Sequence, residues 1–386
     1  RKGFLEGNIF ISTALIDMYA KCGNSLKEAE HVFNKIPIQN EVSWTALIAG
    51  YTDHGYGNEA LHYFKMMQNG GFSPHISTFI SIMKACSCIG SSVDGQEIHA
   101  EITKRGIAGG ILIDNSLIDM YSKCGLLSEA EYVFDKLLSP TVVSWTVLIS
   151  GYSEHGFDQE VMECLQKMQQ GGITLDSTAF VCCLKACTNL QMLVVGQTLH
   201  TEIVGRGLSE TDMLTSLVQM YARSGLLIEA RSLFDSFRAQ TVILWNVLIA
   251  GYVEQEDGEQ AIKCSEDMQL LGVYPNAVTY IHCLKACNSI YNAGKGQEIH
   301  IEIEKKGFIE RDFQLCSSLI DMYAKYGWLA EAQKVFDKLP VKDVVVWTSL
   351  IAGYSSYGNS KEVLECLMRM LRQGIIPNTL TFLASL

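Results

Sequence analysis

Apolar and polar positions along this chain follow a helical period, and a longer period is nested above it. Between Glu41 and His75, the residues Trp44, Leu47, Ile48 and Tyr51 recur at the three-and-four spacing of one helix face, and Gly55 and Gly57 end the run. A second helix is predicted from Asn58 as N-cap, with Glu59 behind it. It places Ala60, Leu61, Phe64 and Met67 on one face before Gly70 and Gly71 stop it. Two such short helices are marginal alone, because each carries an apolar stripe with nothing of its own to cover it.

The first helix is written four times: SWTALIAGYTDHG from Ser43, SWTVLISGYSEHG from Ser144, LWNVLIAGYVEQE from Leu244 and VWTSLIAGYSSYG from Val346. Its tryptophans, Trp44, Trp145, Trp245 and Trp347, lie 101, 100 and 102 residues apart. Two further helical pairs complete each period. One carries FISIMKAC and GQEIHAEITKRG, the other NSLIDMYSKCG and LLSEAEYVFDKL. The prediction is an all-α fold, an α-solenoid of about eleven stacked helix-turn-helix repeats, in which copies bury one another and leave a long concave face.

Composition supports an ordered chain: 48% hydrophobic, 19% charged and only six prolines in 386 residues. Every apolar patch is broken well before the roughly 18 to 20 residues a membrane span requires, so no membrane partner is expected. Thirteen cysteines include the recurring KAC positions Cys86, Cys187 and Cys287, which read as small buried hydrophobes in a reducing compartment. The chain begins at Arg1 without a methionine, so any targeting segment is expected outside this sequence.

Lengths of 35, 35 and 31 residues with the words LIDMYAKCG, VFDKLP and SWTALIAGY resemble the plant pentatricopeptide repeat family, specifically its subclass in which P, L and S variants alternate as triplets. The resemblance implies one array over residues 1–386, wound as a right-handed superhelix. It divides into a partial L repeat 1–8, then S 9–40, P 41–75, L 76–110, S 111–141, P 142–176, L 177–210, S 211–241, P 242–276, L 277–312, S 313–343, P 344–378, and a partial L repeat 379–386.

The resemblance also implies single-stranded RNA binding at one base per repeat, read by the fifth and last residues of each repeat. In P repeats these pairs are Thr45 with His75, Thr146 with Asp176, Asn246 with Asn276, and Thr348 with Asn378. In S repeats they are Thr13 with Asn40, Asn115 with Thr141, Thr215 with Thr241, and Ser317 with Asp343. All sixteen can hydrogen-bond a base edge, whereas the fifth positions of L repeats are apolar: Ile80, Val181, Ile281 and Leu383. Spacing alone also allows a capping role, since Thr, Asn, Ser and Asp favour helix starts. The family's pairing rule reads the array, 5′ to 3′, as A, R, N, Y, G, N, R, Y, N, R, A. Three pairs depart from its usual combinations: Thr45 with His75, Asn115 with Thr141, and Thr215 with Thr241.

The family's second residue wedges between bases. Phe10, Val42, Leu112, Val143, Ile243 and Val345 suit that role, while Asp212 and Gln314 do not. Net charge is −12, which argues against a generic polyanion binder. Lys21, Lys123, Arg223 and Lys325 nevertheless share one register at the end of the first helix of every S repeat, either as phosphate contacts or as cations favoured by the helix dipole. H-x-E occurs at His99, His200 and His300, yet no C-x-x-C accompanies it, so no deaminase site, catalytic residue, metal ligand or cofactor is expected. The resulting expectation is a sequence-specific RNA-binding protein of a mitochondrion or chloroplast, recognising sites for C-to-U editing. Its partners would be single-stranded RNA together with editing-complex proteins or a deaminase domain supplied in trans. The alternative is a helical-repeat scaffold that holds a protein or peptide on its concave face.

Overall fold

The computed structural model describes residues 9–22, 25–36, 39–237, 240–309 and 312–385, and among these every regular element is α-helical. The chain groups into two compact units, Arg1–Leu190 and Gln191–Leu386. The first holds α1 (Ile9–Lys21), α2 (Leu26–Lys35), α3 (Glu41–Asp53), α4 (Gly57–Asn69), α5 (Ile76–Ile89), α6 (Ser92–Lys104), α7 (Ile111–Lys123), α8 (Leu127–Asp135), α9 (Val142–Glu154), α10 (Asp158–Gln170) and α11 (Ser177–Asn189). The second holds α12 (Leu193–Gly205), α13 (Thr211–Arg223), α14 (Leu227–Asp235), α15 (Val242–Glu254), α16 (Gly258–Leu270), α17 (Ala277–Ser289), α18 (Ala293–Lys305), α19 (Phe313–Lys325), α20 (Leu329–Lys338), α21 (Val344–Ser356), α22 (Ser360–Arg372) and α23 (Thr379–Ser385). Within each unit, first helices of successive hairpins pack side by side and second helices form another layer, the stacking of an α-solenoid.

The tryptophans join hairpins. Trp44 meets Phe33 edge-on at 4.6 Å between ring centres, and Trp145–Phe134, Trp245–Phe234 and Trp347–Phe336 repeat the contact at 4.5 Å. Each pair ties the second helix of one hairpin to the first helix of the next, at about 0.5–1.5 kcal/mol beyond the area buried. Leu47 and Ile48, from the same predicted stripe, are fully buried, and so are Cys86, Cys187 and Cys287 to within 1%.

First helices approach closely where the AGY or SGY glycine meets a small residue. A Cβ added at Gly50 would stand 2.5 Å from Ala20 Cβ, one at Gly251 2.5 Å from Ala222 Cβ, and one at Gly353 2.7 Å from Ala324 Cβ. Gly151 meets Ser122 in the same way. The start of α4 differs from expectation. Tyr56, not Asn58, is its N-cap, and the first helical residue is a glycine, Gly57, where a Cβ would lie 2.8 Å from the Ala85 carbonyl oxygen.

After α3, α9 and α21 the chain turns through the left-handed region at Gly55, Gly156 and Gly358, but after α15 the equivalent residue is Glu256, at φ 61°. Two outcomes follow from this backbone. Gly251→Ala is expected to cost about 1–3 kcal/mol through overpacking against Ala222. Glu256→Gly is expected to stabilise by about 0.5–1 kcal/mol, the left-handed penalty less the extra chain entropy of glycine. Urea unfolding of both variants checks the opposite signs, and a stabilising Gly251→Ala would contradict the close-contact account.

Candidate nucleic-acid interface

In the repeat division expected from the sequence, the last residue of a P or S repeat sits where the next first helix begins, and most of these side chains meet unsatisfied backbone N–H groups. Asn40 Oδ1 accepts from Ser43 N at 2.8 Å, Asp176 Oδ1 from Ala179 N at 2.9 Å, Asn276 Oδ1 from Thr279 N at 3.0 Å, Asp343 Oδ1 from Val346 N at 2.9 Å, and Asn378 Oδ1 from Thr381 N at 2.9 Å. Thr141 and Thr241 cap α9 and α15 through longer bonds of 3.3 Å. Capping is therefore a property of these residues. It is not one of the fifth positions, where Thr45, Thr215, Ser317 and Thr348 instead donate to the carbonyl four residues back.

Two P-repeat pairs bond directly, a third is bridged by a threonine, and in the fourth the His75 side chain turns to Glu41 instead. Thr146 Oγ1 donates to Asp176 Oδ2 at 2.8 Å, leaving Oδ1 of the same carboxylate to cap α11. Asn246 Nδ2 donates to Asn276 Oδ1 at 3.1 Å. Three threonines that sequence reasoning missed complete the arrangement. Thr279 Oγ1 donates to Asn246 Oδ1 at 2.7 Å and lies 3.0 Å from Asn276 Oδ1. Thr381 links Thr348, at 2.7 Å, to Asn378, at 2.9 Å. Thr78 meets Thr45 Oγ1 at 2.7 Å and accepts from His75 N at 3.2 Å, while His75 Nε2 reaches Glu41 at 2.7 Å. All three threonines are the third residue of an L-repeat helix and are fully buried. Ala179 takes that place beside Thr146, whose bond to Asp176 is direct. Recurrence of Thr at this register was the signal available in the sequence.

Among the described residues no such bond joins Asn115 to Thr141, Thr215 to Thr241, or Ser317 to Asp343. Asn115 Oδ1 is enclosed without a partner. The wedge positions are exposed despite their apolarity: Val42 56%, Leu112 67%, Val143 56%, Ile243 68% and Val345 49%. Phe10 lies in α1, but its side chain is outside the described residues.

One cavity in the second unit, about 370 Å³, gathers several of these groups. Ile243 and Val278 flank it, Asn246 and Asn276 stand in its wall, and Arg223 lies at its edge with Glu254 and His282. Burial, and then Lys285, hold the His282 imidazole below its ordinary value, so it is neutral near pH 7. Its lining combines apolar surface from Ile243, Val247 and Val278 with the polar groups of Asn246 and Asn276, a mixture suited to a flat heterocycle with polar edges.

The cationic row is largely compensated. Lys21 pairs with Asp17 at 2.7 Å, Lys123 with Asp119 at 2.9 Å, and Arg223 with Glu254 at 3.4 Å. Lys325 differs: its ammonium donates to the Asn288 carbonyl at 3.0 Å and lies 5.2 Å from the Tyr291 ring centre. The H-x-E histidines serve packing, since His99, His200 and His300 bond Tyr121, Tyr221 and Tyr323 at 2.7, 2.8 and 2.6 Å. Among the described residues no cluster of three or more His, Cys, Asp or Glu could hold a metal ion, and no helix is long and apolar enough to cross a membrane.

Comparison with known proteins agrees with this geometry. The model of the PPR repeat family matches residues 39–88 and 240–289, and that of the PPR repeat matches 115–139, 143–173, 212–240, 315–344 and 345–375. A pentatricopeptide repeat-containing protein of Arabidopsis thaliana is 33% identical over 98% of this chain and 46% of its own length. A mitochondrial one is 31% identical over 99% and 37%, and a chloroplastic one 32% identical over 95% and 60%. The chain thus spans about half the length, or less, of most of these relatives. Among solved structures, the pentatricopeptide repeat protein PPR10 in complex with an 18-nt psaJ RNA element superposes with a TM-score of 0.81 at 17% identity, covering 97% of this chain and 57% of that one. Repeat matches along the length, relatives above 30% identity and the shared helical-hairpin fold agree: this chain belongs to the pentatricopeptide repeat family.

Proposed function

We propose that this chain binds single-stranded RNA in a sequence-specific manner, one base per repeat, and positions organellar transcripts for processing, as the recognition part of a C-to-U editing factor of the P-L-S subclass. The observation that carries the reading is the joined P-repeat pair beside an exposed apolar wedge. Thr146 with Asp176 follows Val143, and Asn246 with Asn276 follows Ile243 at the 370 Å³ cavity. A base entering there would stack on the wedge and exchange hydrogen bonds with the pair. The solved PPR10 complex with RNA and the mitochondrial and chloroplastic names among the relatives support the ligand class and the compartment.

Two experiments test it. Fluorescence anisotropy with the 11-nucleotide RNA ANNUGNACNGA is expected to give tighter binding than with a shuffled RNA or the DNA equivalent. Thr146→Asn is expected to move the preference at the fifth base from G towards U by about 1 kcal/mol, the net worth of one hydrogen bond. An unchanged preference would remove the reading rule from this repeat. In a salt series, Lys325→Ala is expected to flatten the slope of log K against log salt by about 0.7, one phosphate contact on a single strand. Lys21→Ala should change it less, because Asp17 already neutralises Lys21. A salt-independent affinity would favour a protein ligand on the same face.

A further inference from the structure

The buried threonines beside the P-repeat pairs all pass their proton in one direction. Thr78, Thr279 and Thr381 stand third in α5, α17 and α23, and each Oγ1 accepts the backbone N–H of the residue before its helix. These are His75 at 3.2 Å, Asn276 at 3.2 Å and Asn378 at 3.3 Å. A hydroxyl has a single proton to give. Thr45 and Thr348 give theirs to the carbonyls of Glu41 and Val344. In the 2.7 Å contacts Thr78–Thr45 and Thr381–Thr348 the proton therefore comes from Thr78 and Thr381. Thr279 likewise donates to Asn246 Oδ1 at 2.7 Å, the shorter of its two acceptor contacts.

For Asn246 this direction fixes which end of the amide is held inward, since the bonding partners assign the oxygen and the nitrogen. The Thr279 backbone N–H holds Asn276 Oδ1 at 3.0 Å, that oxygen accepts from Asn246 Nδ2 at 3.1 Å, and the Thr279 hydroxyl takes Asn246 Oδ1. Both amide oxygens are engaged. Among the described residues the remaining N–H groups, one on Asn246 and both on Asn276, have no acceptor, and both residues line the 370 Å³ cavity. Thr146 shows the opposite polarity. Ala179 stands third in α11, and Thr146 gives its own proton to Asp176 Oδ2, which leaves that pair with lone pairs to offer.

We infer that Thr279 is a positioning residue for base discrimination: its hydroxyl keeps the Asn246 amide nitrogen outward, so that the pair offers donors alone. The inference rests on the RNA reading of the chain. A base with two neighbouring acceptors fits such an edge, as cytosine provides at O2 and N3, whereas uracil carries a hydrogen on N3. Asn246 is only 9% exposed, so removal of the hydroxyl would leave its Oδ1 enclosed without a donor. An unpaired buried acceptor costs more than one net hydrogen bond contributes. The amide would then give up Asn276 and turn its oxygen toward the cavity, where it accepts from uracil N3 as readily as its nitrogen donates to cytosine.

Fluorescence anisotropy of the full chain with ANNUGNACNGA, and with U, A or G at the eighth base, tests this. Two variants are compared: Thr279→Val, isosteric and matching Val346 at the same register, and Thr279→Ser, which keeps the hydroxyl. The unaltered chain is expected to prefer C over U at the eighth base by about fivefold, the worth of one hydrogen bond. Thr279→Val should narrow that ratio to within about twofold, and Thr279→Ser should retain it. Discrimination at the fifth base, beside Ala179, should be unchanged in both variants. Partial unfolding weakens every RNA alike, so the ratio reports the amide and not stability. Should the valine variant fail to fold, Thr279→Ala, which copies Ala179, takes its place with the same expected ratio. A folded Thr279→Val or Thr279→Ala chain with the full C-to-U ratio, a serine variant that loses it, or an equal loss at the fifth base would overturn the inference and leave the RNA reading standing. A chain that shows no base preference at any position would overturn both.

Discussion

The spacing of the first helices is set by one contact, a glycine face pressed on a small side chain. Gly50 on Ala20, Gly151 on Ser122, Gly251 on Ala222 and Gly353 on Ala324 let each P-repeat first helix approach the S-repeat helix before it until backbones nearly touch. A larger residue on either side would separate the helices and spread the side chains they carry. The tryptophan of the same helix then fixes rotation about that contact, because Trp44 and its counterparts must reach the phenylalanine of the preceding second helix. With distance and rotation both determined, the fifth residue has one direction left to face, toward the cap of the next hairpin. Position along the solenoid is thus built from packing, and the polar side chains are added to it.

Most of the fold was legible in the sequence for the same reason. Trp44, Leu47, Ile48 and Tyr51 form one apolar stripe, and a stripe with that spacing has a single way to be buried. Features that escaped depend on residues about 33 positions apart. Thr78, Thr279 and Thr381 are unremarkable in their own helices, and only the neighbouring helix reveals that they bond Thr45, Asn246 and Thr348. Compensation of Lys21, Lys123 and Arg223 by Asp17, Asp119 and Glu254 could be suspected from i,i+4 spacing in the first two, but the third pairs across hairpins. Asn58 failed as a cap because propensity for capping ignores how closely Gly57 lies against the Ala85 carbonyl.

Capping and pairing with the fifth residue fall on the same side chains. Their coexistence follows from counting acceptors. A carboxylate or amide oxygen has more lone pairs than a helix N-terminus requires, so Asp176 caps with Oδ1 and holds Thr146 with Oδ2. The cap orients the side chain before any ligand arrives, and that lowers the entropy lost on binding. Thr141 and Thr241 have only one oxygen to offer, and it is engaged at 3.3 Å with the backbone, which matches their failure to join Asn115 and Thr215. A two-atom terminal group at the last position permits both bonds but does not ensure them, since Asp343 caps α21 while Ser317 bonds its own helix at the Phe313 carbonyl. Asn276 and Asn378 show the same economy, each capping the next helix while bonding a neighbouring side chain.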